Sequence, residues 1–102
     1  MRVISKKKLV EFWTKHDGAT SWLKRWHRIV RAAKWKNIQE ARKTLPSADG
    51  VTVESHKTVT VFNVCGDDYR MVTAIHYNTG LVYVLWLGTH REYDREHWKA
   101  NL

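Results

Sequence analysis

Three runs rich in β-branched and aromatic residues follow one another almost without a break: TVTVFNVC (58–65), YRMVTAIHY (69–77) and LVYVLWL (81–87). Only GDD and NTG separate them. Turns this short join antiparallel neighbours, because a parallel neighbour needs a crossover of a dozen residues or more. The runs are therefore expected to form a β-meander, and the rest of the chain must cover it. VTVE (51–54) can add an edge strand.

Ahead of the meander the apolar period lengthens from two towards 3.6. RVIS (2–5) reads as a short strand, with Ser5 placed to cap the helix that follows. In that helix Leu9, Phe12 and Trp13 fall at i, i+3 and i+4, and it ends near HDG. ATSWLKRWHRIVRAAKW (19–35) is expected to be a second helix. Its apolar stripe comprises Ala19, Trp22, Leu23, Trp26, Ile29, Val30 and Ala33, while Lys24, Arg28, Arg31 and Lys34 lie largely on the other side. Asn37 followed by Glu40 resembles a capping box and starts a third, short helix that stops at Pro46. The expected fold is α+β: an N-terminal strand and two to three helices on one face of a twisted, mainly antiparallel sheet, with a short C-terminal helix. At 102 residues this is a single domain, 1–102.

Charge is distributed unevenly. Residues 1–45 hold 13 Lys/Arg against 3 Asp/Glu, and residues 46–102 hold 5 against 7. The net +8 thus arises in the first half, where it attracts polyanions over ~8–10 Å in cellular salt. Nucleic acid is the first such partner to consider; an acidic protein and an anionic membrane surface are the others. A single cysteine, Cys65, excludes an internal disulfide and a cysteine-rich zinc site. No apolar stretch approaches the ~20 residues of a membrane span, and no basic stretch leads into an apolar run of signal-peptide length. A cytoplasmic protein without membrane contact is expected.

Two places concentrate chemistry. Arg70 is the one Lys/Arg between positions 58 and 90, and the period-2 rule puts it on a face with Val72, Ala74 and His76. In such a strand it is either ion-paired or turned towards a phosphate. The second place is GTHREYDREHW (88–98), in which Thr89 and Glu92 have capping-box spacing. On the helix they start, His90, Tyr93, Asp94 and His97 share a face, and Trp98 anchors the far end. His90, Asp94 and His97 are metal-ligand types, but His90 and His97 stand ~10 Å apart along a helix axis, so closing one site around an ion is difficult. That leaves a hydrogen-bonded helix end, or a histidine suited to proton transfer near neutral pH. Lys57, with His56, enters the first long strand.

LPSADG, the strand pair FN…G…YR inside VFNVCGDDYRMVTAIHYNTGLVYVLWLGTHREYD, and the closing GTHxEYD, read together with MRVISKKKLVEFW, resemble the HigB family of bacterial toxins in the RelE/ParE superfamily. The likeness extends over most of the chain. It implies a RelE-like fold and an mRNA interferase that cuts messenger RNA on the ribosome; no cofactor and no metal are expected. It also implies a cognate HigA-like helix-turn-helix antitoxin, through whose complex alone the toxin meets operator DNA. By position, Lys57 and Arg70 match basic strand residues that such folds aim at RNA, and His90 and Tyr93 match the TH…EY element. These four are the expected catalytic residues; His56, Lys24, Arg28, Arg31 and Lys34 are the expected RNA-binding ones. A ParE-like inhibitor of DNA gyrase, or a non-catalytic nucleic-acid module, is the alternative.

Overall fold

The computed structural model describes residues 1–102, the side chain of Asn101 aside. The order of elements is β1 (Arg2–Ile4), α1 (Lys6–Lys15), α2 (Thr20–Ala32), α3 (Ile38–Thr44), β2 (Asp49–Thr52), β3 (Thr58–Val64), β4 (Tyr69–His76), β5 (Leu81–Thr89) and α4 (His90–Asp94). Short 3₁₀ turns occupy Asp17–Ala19 and His97–Asn101. Across the sheet the strands run β1-β5-β4-β3-β2. The three apolar runs form the antiparallel meander that their short turns require. β2 adds antiparallel to β3, and β1 lies parallel to β5, so the sheet is mixed. The fold is α+β and consistent with a RelE-like architecture.

Local chemistry sets most boundaries. Asn37 caps α3 by accepting the Glu40 N–H, as its spacing predicts. Ser5 holds the N-cap position of α1 but makes no side-chain cap, because its backbone is left-handed there (φ 70°). α2 is shorter than its stripe suggests: Ala33 is extended, and Trp35 reaches the core from the loop beyond. The edge strand starts two residues before VTVE, since Val53 turns inward and its N–H bonds the Lys57 carbonyl.

The sheet separates two apolar clusters. Above it, Leu9, Leu23, Trp26, Val30 and Trp35 pack on Phe62, Val64, Met71, Val82 and Val84. This is the helical layer, and it takes the bulky face of β4. Below it, Val53, Val59, Val61 and Val72 are covered by Trp98, with Trp86 and Tyr93 beside them. The lower face is therefore closed over its middle by the C-terminal segment. Cys65 is half-buried, its Sγ 3.2 Å from the Gly18 carbonyl.

β5 carries a bulge and a closely packed glycine. Val72 pairs with Trp86 and Thr73 with Val84, which leaves Leu85 as the extra residue of a bulge. β1 pairs only with Leu81–Tyr83, and the Leu85 carbonyl is met instead by Lys8 Nζ at 3.2 Å. A Cβ at Gly88 would run into the Trp86 ring, which itself stacks on Trp98. Gly88→Ala should therefore push the indole off the lower cluster and cost about 1–3 kcal/mol in chemical denaturation. An unchanged midpoint would show that Trp86 yields without loss.

Candidate active site

Strand register brings the two chemical stretches together. Arg70, second in β4, pairs with Gly88 of β5, and His90 follows two residues later. Glycine at that register leaves no side chain between them. The turn preceding β4 completes the arrangement, as the His90 N–H donates to the Asp68 carbonyl at 3.1 Å. α4 then starts on a full capping box: Thr89 Oγ1 accepts the Glu92 N–H, and Glu92 accepts the Thr89 N–H.

Arg70 is only 8% exposed. Its Nη1 donates to the carbonyls of Tyr69 (2.9 Å) and Gly66 (3.2 Å), and its Nη2 lies 3.4 Å from Asp67 Oδ1. Three acceptors, one of them charged, offset the loss of water around a buried guanidinium. Of the two expectations for this residue, the ion pair holds, and the surface around it is not an open sheet face. The same Nη2 stands 3.3 Å from His90 Nδ1.

His90 is bounded on both ring nitrogens. Nε2 lies 3.0 Å from Asp94 Oδ2, and Nδ1 lies 3.1 Å from the Asp67 carbonyl as well as near Arg70. A guanidinium only donates, so a neutral ring beside it accepts at Nδ1 and gives its Nε2–H to Asp94. When the ring carries both protons, the Asp67 carbonyl can take Nδ1–H instead. Each protonation state thus has its acceptors, and a proton can enter or leave without a large rearrangement. Asp94 is 63% exposed and His90 42%, so solvent and solutes reach this pair.

The other expected residues divide. Tyr93 is half-buried, stacked on Trp98 with centroids 5.0 Å apart. Burial raises its phenol pKa, with smaller opposing and reinforcing charges from Lys99, Asp49, Arg70 and Glu96. It can donate a proton in a hydrogen bond, but it is no base near neutral pH. His97 does not share the His90 face, because α4 ends at Asp94 and Glu96 is left-handed (φ 60°). Lys57 and His56 stand away from Arg70. Lys57 precedes β3, whose residue Asn63 pairs with Arg70, so six positions of extended chain, roughly 20 Å, separate them. Lys24, Arg28, Arg31 and Lys34 are exposed, as expected, but they belong to the helical layer on the opposite side of the sheet from the Arg70 face.

The GDD turn does more than its turn chemistry predicts. Its Gly66 and Asp67 hold Arg70, and Asp67 and Asp68 hold His90. A carboxylate three positions before a lone strand arginine was the available signal. Among the described residues no group of three or more His, Cys, Asp or Glu is arranged to hold a metal ion, and no helix is long and apolar enough to cross a membrane.

The model of the HigB_toxin family, described as the RelE-like toxic component of a toxin–antitoxin system, matches residues 19–96. This chain belongs to the HigB toxin family. The matched span contains α2, the meander, the GDD turn and all of α4. Among curated proteins nothing matches the chain. As a HigB-family toxin, it has an antitoxin for a partner.

The capping box is the part of this HigB site most open to test. The Thr89 N–H lowers the Glu92 pKa more than burial raises it. A carboxylate depressed in the folded state adds stability above its unfolded pKa, and that stability is lost as pH falls through the folded value. Glu92→Ala, which removes the carboxylate that accepts the Thr89 N–H, should cost about 0.3–1 kcal/mol near neutral pH. Thermal melts at acid and neutral pH should show this difference shrinking below pH ~4; a constant difference would mean that Glu92 does not support the helix.

Proposed function

We propose that this toxin is an endoribonuclease that cuts messenger RNA on the ribosome, using the substrate's own ribose 2′-hydroxyl as nucleophile. The observation that carries the reading is the 3.3 Å approach of a buried guanidinium to an accessible imidazole. Such a reaction needs a base for the 2′-proton, a cation for the phosphorane and an acid for the departing 5′-oxygen. His90 is the proton-transfer group. An incoming phosphate, itself an anion, displaces the exposed Asp94 carboxylate; the Asp67 carbonyl then holds Nδ1–H and leaves the Nε2 lone pair to take the proton. The oxygen attacks the adjacent phosphorus, the bond to the 5′-oxygen breaks as that oxygen takes a proton from the now protonated His90 ring, and a 2′,3′-cyclic phosphate and a free 5′-hydroxyl result. Arg70 supplies positive charge beside the ring, and Tyr93 donates a hydrogen bond or orients a base. No metal is assigned a step.

In this reading Lys57 and His56 act on RNA away from the scissile bond. Lys24, Arg28, Arg31 and Lys34 present the long-range field from the helical layer to ribosomal RNA, and the ribosome contributes positioning that an open site lacks. Activity is placed in the cytoplasm. Neutralisation falls to a HigA-like helix-turn-helix antitoxin, which also carries the toxin to operator DNA.

The test is primer extension on messenger RNA from expressing cells, and on purified ribosomes with and without chelator. Wild-type protein should produce new cuts that need ribosomes and survive chelation. His90→Gln should reduce them by about 10²–10⁴-fold with the fold intact. Arg70→Lys should lose comparable activity, since a point charge does not replace the fork. Intact transcripts with double-strand DNA breaks would instead identify gyrase inhibition.

A further inference from the structure

The lower face of the sheet holds a second hollow, well away from Arg70. Ala74 sits directly opposite Tyr83, and opposed residues share a face, so its small side chain leaves a gap between larger neighbours. The resulting cleft has a volume of about 650 Å³. Its floor is apolar, from Val59, Ala74 and Leu85, and its rim carries Lys57, His76 and Tyr83. The His76 ring stands edge-on to the Tyr83 ring, centroids 5.2 Å apart at 70°. Lys57 is exposed and, among the described residues, has no acidic partner within ion-pair distance.

We infer that this cleft binds one nucleotide of single-stranded RNA, its base against His76 and Tyr83 and its phosphate on Lys57. The inference rests on the nuclease reading for its role, though not for the binding itself. Stacking surfaces beside a cation are the general means of holding a single strand, because every base has a π-face and every linkage one charge. A single ammonium next to two rings suits that one-charge-per-base pattern; an acidic peptide would need more cations and would leave the rings unused. Placement agrees. The alternation Arg70, Val72, Ala74, His76 puts the cleft on the same sheet face as the Arg70–His90 pair. Arg70 and His76 are six positions apart along β4, roughly 20 Å, a span of a few nucleotides of stretched strand. Between them Trp86 and Tyr93, packed on the buried Trp98, border the path that the strand would follow. Lys57 then fixes which linkage meets His90 without touching the reacting atoms. It is a positioning residue.

Full-length protein would be titrated with a ribonucleoside 5′-monophosphate, and separately with inorganic phosphate, while NMR follows the His76 and Tyr83 ring signals. The monophosphate should shift both rings, and phosphate alone should bind at least tenfold more weakly. Ala74→Leu, which fills the hollow without removing a charge, and His76→Ala at an exposed strand end should each weaken monophosphate binding about tenfold. In ribosome cleavage the same two variants should raise KM about tenfold with kcat unchanged. Removing the base of the nucleotide that reaches the cleft should reproduce that KM in wild type and add nothing in Ala74→Leu. Monophosphate binding that survives Ala74→Leu, or a fall in kcat in folded variants, would overturn the assignment. Binding at His76 and Tyr83 by a wild-type protein that cuts no RNA would keep the cleft and remove the nuclease reading. Cleavage with no monophosphate binding would do the reverse.

Discussion

A guanidinium taken almost wholly out of water must find acceptors in fixed places, and the end of the sheet is built around that demand. Arg70 draws in the carbonyls of Gly66 and Tyr69 and the Asp67 carboxylate. The same turn, so tied, offers the Asp67 and Asp68 carbonyls to His90. Turn, strand start and C-terminal helix are thus locked by one side chain, with Gly88 as the flat spot that lets them meet. Loss of the arginine would strand three acceptors and release the imidazole together.

What could be read from the chain follows the range of the interactions involved. The meander, the Asn37 cap, the Thr89–Glu92 capping box and the stripe of α2 depend on neighbours within a few residues, and they stand where spacing places them. Trp98 anchors as expected, although into a second cluster below the sheet rather than among the helices. The position of Lys57 depends on something local patterns do not carry. A basic residue near a strand says nothing about which end of the sheet it will share, and the β3–β4 register sends it to the end away from Arg70. His97 fails for a different reason, since heptad-like spacing assumes a helix that continues past Asp94, and Glu96 breaks it. The role of Asp67 was hidden because a turn of Gly and Asp residues is already explained by turn geometry.

The division of charge gains meaning from the layers. The cationic surface of α2 and the Arg70–His90 pair lie on opposite sides of the sheet. The surface that attracts a polyanion at long range is therefore not the one that carries the Arg70–His90 pair. If the toxin acts on ribosome-bound RNA as proposed, the large particle satisfies both, engaging the helical layer broadly while a strand reaches the lower face. A small free RNA touches one side at a time. An acidic partner seated on the helices would likewise remove the long-range attraction without entering the site.

The parallel pairing of β1 with Leu81–Tyr83 joins the first strand of the chain to the last. Arg2 and its partner Leu81 are about eighty residues apart, so the loop-closure entropy of this contact is met late in folding. During synthesis the N-terminal strand emerges early and has no sheet to join until β5 has left the ribosome. His90, directly behind β5, arrives at the same moment. The Arg70–His90 pair therefore cannot assemble until β5 has emerged and joined β4.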